Sequence, residues 1–249
     1  MMKRALLTGV CVSVSMCIAL GVVTLSHTPA RDIDEWRVRA LSTHDWTSMT
    51  KLRATSWARN DAAMFALGTV LVSDANPQRA RDGLRWLERS AQSGNPDAQL
   101  TLGRAFFDGV AGTPLDYARS RAWLERAAHD VTEDAPASAG AQATYWLASI
   151  HRNGYGVPRN ADAGLRWLER AARSSVPQAQ FQLANIYRER GDDARALDWL
   201  RRSAAAEYAE ANLALAMAYR NGELGLHRDE GEYWSYVKET LHDYKHRVQ

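Results

Sequence analysis

The chain has 249 residues, of which 46% are apolar and 24% are charged, as in an ordinary globular protein. Its net charge of +2 comes from Lys3 and Arg4, because the chain from residue 31 onward carries 31 − 2 = 29 basic and 29 acidic residues. This balance excludes the basic surface of a nucleic-acid-binding protein. Both cysteines, Cys11 and Cys17, precede residue 31, so the remainder contains no disulfide, thiolate nucleophile or cysteine–zinc site.

Residues 1–30 are predicted to direct the chain to a membrane and to take no part in the fold. Two basic residues precede an uncharged run over residues 5–26, which is long enough to cross a hydrocarbon core of about 30 Å as a helix. Positive charge before such a run keeps the start in the cytoplasm and sends the rest outward. The exit sequence SHTPAR is a poor cleavage site, which favours an uncleaved signal anchor over a cleaved signal peptide. Both alternatives predict a periplasmic location for residues 31–249.

Residues 31–60 are predicted to form a helical N-terminal cap. Within them, Ser48-x-x-Lys51 has the form of a penicillin-binding motif, but residues 73–76 read SDAN, which is not SDN, and no KTG occurs. We therefore interpret Ser48 and Lys51 as solvent-facing residues of the cap and predict that the protein is not an enzyme. A penicillin-directed envelope hydrolase remains the alternative, and a structural tether in envelope assembly is a further one.

Residues 61–249 contain a tandem repeat. The heptad GLRWLER occurs at 83–89 and again at 164–170, and degenerate copies surround three further tryptophans. Small residues lie three before and four after most of these tryptophans, as with Gly164 and Ala171 around Trp167. This spacing predicts a helix, named helix B here, in which an indole fills the gap between small residues. The tryptophans, which lie 37, 44, 32 and 35 residues apart, are Trp86, Trp123, Trp167, Trp199 and Trp234.

A second pattern precedes each tryptophan by 20–25 residues. It has Ala first, Leu four residues later and usually an aromatic residue eight later, which is one face of a helix, named helix A here. Asn or Asp seven residues before the tryptophan predicts an N-cap for helix B, and Gly eleven after the alanine predicts a left-handed end for helix A. The starting alanines are Ala63, Ala98, Ala143, Ala179 and Ala211; the predicted caps are Asp116, Asn160, Asp192, Gly109, Gly154 and Gly222.

The clearest copy, ATYWLASIHRNGYGVPRNADAGLRWLERAA at 143–172, resembles the Sel1-like repeat family, whose members are related to tetratricopeptide repeats. The resemblance implies an all-α, right-handed α-solenoid of about five helix-turn-helix repeats over roughly 61–243. It also implies a non-catalytic scaffold that binds protein partners, as an adaptor, a regulator or a toxin-immunity protein. The residues that match the family pattern are Ala143, Leu147, Gly154, Gly156, Val157, Trp167, Ala171 and Ala172.

The candidate binding site is the helix A face at offsets 3, 6 and 10 from each starting alanine, which points away from the predicted core. We predict that this face lines a concave groove for a protein partner of the cell envelope. Trp146 is the one bulky aromatic residue at its offset, and exposed tryptophans are enriched at binding hot spots. The alternative is that Trp146 packs under an insertion at 129–140. The candidate residues are Thr101, Arg104, Trp146, Asn153, Gln182, Asn185, Glu189, Met217 and Asn221.

Two other motifs have structural interpretations. NGYGVPRN at 153–160 lacks the spacing and the Lys-Ser/Thr of a phosphate loop, so we interpret it as a turn. His242 and His246 have the spacing of a zinc-binding pair, but only three residues follow them, and a terminal helix over 232–246 is the better interpretation. We predict no cofactor and no metal.

Overall fold

The structure is a computed structural model that describes residues 24–109, 113–129 and 138–247, with side chains to residue 241. These residues are helical and contain no strand, which confirms the all-α class. Among them, no helix has the length and hydropathy that a membrane span requires. The predicted anchor at 5–26 lies almost wholly outside the described part, as do both cysteines and most of the insertion at 129–140.

The chain divides into two compact units, Met1–Asp116 and Tyr117–Gln249. In the first unit, Asn or Asp side chains precede most helices and accept hydrogen bonds from backbone N–H groups of the first turn, for example Asn95 from Ala98 at 2.9 Å. Successive helices pack against each other. The helices of this unit are α1 (Ala30–Ser42), α2 (Trp46–Trp57), α3 (Asp61–Val72), α4 (Pro77–Gln92) and α5 (Pro96–Asp108).

The second unit continues the alternation of helix B and helix A. Asn160 and Asp192 accept bonds from the N–H groups of Ala163 and Arg195, which confirms two predicted N-caps; the third, Asp116, stays a prediction. The predicted left-handed glycine ends are confirmed. The helices are α6 (Tyr117–Ala127), α7 (Ala139–Asn153), α8 (Ala161–Arg173), α9 (Pro177–Glu189), α10 (Asp193–Ala205), α11 (Ala209–Asn221) and α12 (Glu230–Arg247).

The predicted core face of helix A is confirmed, since every starting alanine and the leucine four residues later is buried. The predicted spine of indoles in helix B needs correction. The leucine after each of the first four tryptophans is almost fully buried, whereas those tryptophans are half-buried and Trp234 is 61% exposed. The first four indoles lie at the rim of their helix pairs, where an arginine three residues later covers the ring, as Arg202 does on Trp199 at 4.7 Å.

Helix α2 shares part of the burial pattern of the later B helices. Leu52 and Thr55 on α2 are fully buried three residues apart, as are Leu87 and Ser90 on α4. The side chain of Asn60, which caps α3, also donates to the carbonyl of Ser26 at 3.1 Å. Residues 30–57 thus form two helices that pack on each other and on α3, without the tryptophan motif.

Candidate functional site

Helices α7 and α9 are joined by a short hydrogen-bond network on the predicted binding face. The amide Nε2 of Gln182 donates to the hydroxyl of Tyr145 at 2.8 Å, and Nη1 of Arg152 donates to Oε1 of Gln182 at 3.2 Å. Burial raises the pKa of the Tyr145 phenol, while the charge of Arg152 and the bond from Gln182 act in the opposite direction. Gln182 therefore links α9 to α7, because its amide nitrogen donates to one residue of α7 and its amide oxygen accepts from another.

Arg152 also borders a cavity of about 230 Å³ between α7, α8 and α9. Its wall combines the apolar side chains of Leu168 and Ile186 with the charged side chains of Asp162 and Glu189. Helices α7 and α8 can come this close because residue 164 is a glycine. A Cβ at that position would lie only 2.9 Å from Cβ of Arg152. The cavity therefore offers both signs of charge beside apolar side chains.

The predicted residues of the second unit are spread over three helix A faces. Trp146 is half-buried, with its ring edge-on to Tyr145 at 6.3 Å. Asn185 is half-buried, whereas Asn153 and Glu189 are exposed. The remaining residues of the set on this unit, Met217 and Asn221, lie on α11 and are exposed.

Sequence reasoning missed Leu213, which is 51% exposed one turn before Met217, itself 39% exposed. The preceding copy has Phe181 at the same offset, and that ring packs against Tyr208 of the next repeat at 5.6 Å. An apolar residue at this offset therefore serves stacking in one repeat and is open to solvent on α11. The available signal was the recurrence of Tyr145, Phe181 and Leu213 at offset 2.

Thr101 and Arg104 lie on α5 in the first unit, where Thr101 is half-buried and Arg104 is exposed. Their grouping with the residues of the second unit stays a prediction.

The placement of Ser48 on the solvent side is wrong. Ser48 is 2% exposed, and its hydroxyl donates to Oδ2 of Asp45 at 2.6 Å as part of the N-cap of α2. Hydrogen bonds from Ser48 and Thr47 lower the pKa of Asp45 to about 2. Lys51 points elsewhere, with its ammonium 5.3 Å from the centre of the Trp36 ring. The geometry of this motif pairs its serine with a capping carboxylate and its lysine with an indole.

The glycine-rich segment 153–160 is a turn, as interpreted. Gly154 and Gly156 have left-handed φ angles of 78° and 65°, and Tyr155 between them stacks on Tyr117 at 5.1 Å. Within the part of the chain that the structure describes, no three His, Asp or Glu side chains are grouped as a metal site requires. The side chains of His242 and His246 lie outside that part.

The comparisons with known proteins agree on one family. The Sel1 repeat model matches five times, at residues 61–95, 96–130, 141–176, 177–208 and 208–232. The crystal structure of a Sel1 repeat protein from Oxalobacter formigenes has a TM-score of 0.69 at 22% identity, covering 79% of this chain and 79% of that one. The immunity protein Pa5087 from Pseudomonas aeruginosa has a TM-score of 0.52 at 19% identity, covering 73% of this chain and 65% of that one.

At 22% and 19% identity, the similarity to these solved structures shows a shared fold and nothing about function. No curated protein matches the sequence. Sel1 repeat proteins typically mediate protein–protein interactions and are generally non-catalytic. Because the five matched repeats cover most of residues 61–232, the family inferred from the tryptophan and alanine patterns is confirmed. This chain belongs to the Sel1 repeat family.

Proposed function

We propose that the chain is a non-catalytic scaffold that holds a protein partner on the α7–α9–α11 face, defined by Trp146, Gln182, Asn185, Leu213 and Met217. The observation that supports this most is the change along the face from a half-buried indole and amides to two exposed apolar side chains. Such a surface offers both an apolar anchor and hydrogen-bonding groups, as protein interfaces do.

The network of Tyr145, Gln182 and Arg152 supports binding through preorganisation. It fixes α7 and α9 against each other before a partner arrives, so fewer degrees of freedom are lost on association. Leu213 and Met217 are one turn apart on α11 and can cover one apolar side chain of the partner, and the thioether adapts to irregular shapes. The partner is expected to present an apolar side chain flanked by polar backbone.

The proposed location is the periplasm, with residues 5–26 as an inner-membrane anchor, because basic residues precede an apolar run there. One form of the proposal is that the partner is a toxin, since Pa5087, which shares the fold, is an immunity protein. Deleting the gene should then make the product of a neighbouring gene toxic to the cell. If cells that lack the gene survive without harm, the toxin form of the proposal is wrong, and the proposed role is that of an envelope adaptor.

The test is capture of a partner from envelope extract with the full-length chain as bait. Met217→Asp places a charge among the apolar contacts and should reduce capture at least tenfold, and Trp146→Ala should reduce it similarly. Trp46→Ala is the matched control, because Trp46 is an exposed tryptophan on α2 of the other unit. Melting temperatures of all variants separate lost binding from lost folding. Equal capture by Met217→Asp and by the parent chain would contradict the proposal that the α7–α9–α11 face binds the partner.

A penicillin-directed hydrolase is the competing function. It predicts turnover of a chromogenic β-lactam that disappears in Ser48→Ala. The bond from Ser48 to Asp45 argues against it, because that hydroxyl is already engaged in capping α2. A structural tether predicts instead that removal of residues 1–30 abolishes function while the fold is retained.

A further inference from the structure

The first unit contains a second surface with binding chemistry, between α2, α3 and α4. A cavity of about 510 Å³ opens there, within the range of small-ligand sites. The indoles of Trp57 and Trp86 meet edge to face in it at 5.6 Å, over a floor that includes the buried Met64. Trp57 is 72% exposed, so a large apolar ring faces water.

Two arginines border this cavity, and no acidic residue does. Arg59 and Arg89 are exposed, and neither forms an ion pair with any residue that the structure describes. Nearby Arg79 and Arg85, by contrast, are each paired with an aspartate. The unpaired guanidiniums give the cavity a local positive charge, although basic and acidic residues are equal in number from residue 31 onward. This charge is complementary to an anionic ligand.

Arg89 is held in place by the two indoles. Its guanidinium carbon lies 4.8 Å from the centre of the Trp86 ring and 6.0 Å from that of Trp57. A guanidinium stacked on aromatic rings keeps its N–H groups available for a carboxylate, and less side-chain entropy is lost when it binds. The site therefore has an oriented cationic group beside an open apolar surface.

The tryptophan–arginine stack recurs at Trp123, Trp167 and Trp199, and the site at Trp86 adds an exposed second indole. Trp199 carries the same stacked arginine, Arg202, at 4.7 Å, but Arg202 is neutralised by Asp198 at 3.1 Å. The extra indole and the extra arginine at the first site come from the end of α2 and the turn that follows, which lie outside the matched repeats. The packing of a tryptophan and an arginine is common to the repeats, whereas the exposed second ring is not needed for it.

We infer that this cavity, the Trp57–Trp86 site, binds an acidic peptide segment in which an apolar side chain precedes one or two carboxylates. The apolar side chain would cover the Trp57 ring, and a carboxylate would take a bidentate contact from Arg89, with Arg59 adding attraction. The side-chain amide of Gln92 and the hydroxyl of Ser93 lie on the same wall and suit peptide groups. A free phosphate would leave both indoles uncovered, which favours a peptide.

The test uses the full-length chain with 15N-labelled tryptophan and follows the indole N–H signals of Trp57 and Trp86. The probe is acetyl-Leu-Glu-Glu-amide, and acetyl-Leu-Gln-Gln-amide is the uncharged match. We expect the acidic peptide to shift both signals saturably and to bind at least fivefold more tightly than its match. Arg89→Ala should weaken binding at least tenfold, and Trp57→Ala should abolish it. Trp57 is exposed, so we expect its removal to leave the fold intact, and the melting temperature of the variant checks this.

Arg202→Ala is the matched control, since it removes an equally stacked but already paired arginine and should leave affinity unchanged. Met217→Asp should also leave it unchanged, because the site shares no residue with the α7–α9–α11 face. Equal affinity for the two peptides, or no saturable shift, would overturn the inference. So would saturation of the same signals by inorganic phosphate alone, which indicates a simple anion site, or Arg89-dependent binding only to phosphatidylglycerol vesicles, which indicates a lipid site.

Discussion

Helices α8 and α12 occupy the same position in their helix pairs but differ in how they are buried. On α8, Gly164 and Leu168 are buried and Trp167 is half-buried. On α12, both Gly231 and Trp234 are exposed. Helix α8 packs between α7 and α9, whereas α12 packs on α11 and no helix follows it in the described chain.

The sequences of the two helices differ in step with their surroundings. The leucine after the tryptophan of α8 is replaced by Ser235 in α12, and the small residue four positions after it is replaced by Lys238. The motif therefore specifies a helix and its orientation. The helix A that follows it in the chain determines which of its positions must be apolar or small. The same substitution should therefore change the stability of the protein by very different amounts in the two B helices α8 and α12.

Removing a leucine gives the largest expected difference. Leu168→Ala deletes a buried side chain on α8 and should lower the free energy of unfolding by about 2–5 kcal/mol, because the surroundings cannot fully close the cavity. Leu241→Ala on α12 deletes an exposed one and should change it by less than about 0.5 kcal/mol. Urea unfolding followed by circular dichroism measures both. Similar losses for the two variants would show that α12 is buried to the same degree as α8.

Adding a methyl group at the glycines gives an intermediate difference. A Cβ at Gly164 would lie 2.9 Å from Cβ of Arg152 and 3.1 Å from the carbonyl oxygen of Ala148, so Gly164→Ala should destabilise by about 1–3 kcal/mol. At Gly231 the nearest atom is Oδ1 of Asp229 at 3.2 Å, and the helix propensity of alanine offsets that contact. Gly231→Ala should therefore be neutral or slightly stabilising in the same urea experiment. A stabilised Gly164→Ala variant would contradict the close approach of α7 and α8.

The repeat pattern predicts what is local or periodic in this fold. Small residues three before a tryptophan indicate close helix approach, which the structure shows at Gly83 and Gly164 but not at Gly231. The rim position of Trp167 was not predicted, because the pattern does not show that Arg170, 5.7 Å from its ring, covers it. The burial of Ser48 depends on its bond to Asp45, which the S-x-x-K spacing obscures.

Contacts between repeats are the part that sequence spacing leaves undetermined. Gln182 was predicted as a groove residue, but its partner Tyr145 lies 37 positions away on another helix. Trp57 and Trp86 meet across the boundary between the predicted cap and the first matched repeat, where no periodicity applies. Contacts of this kind depend on which side chains from different repeats reach the same point, and a single copy of the motif does not contain that information.

The helix caps give the smallest difference in global stability and the sharpest one in local stability. Asn160 accepts a bond from the N–H of Ala163 at the start of α8, and Asp229 accepts bonds from Gly231 and Glu232 at the start of α12. Asn160→Ala should cost about 1 kcal/mol of global stability, because α8 packs on α7 and α9 and we expect it to unfold together with them. Asp229→Ala removes an equally good cap, but from a helix with one neighbour.

The loss of the Asp229 cap should therefore appear mainly as faster hydrogen exchange of α12 amides, with the exchange of α8 and α9 unchanged. Asp229→Asn keeps an acceptor at the cap and should restore most of the protection, which distinguishes the hydrogen bonds from the carboxylate charge. If Asp229→Ala accelerated exchange equally in α8 and α12, the two helices would unfold as one cooperative unit. The difference in burial between them would then have no counterpart in their dynamics.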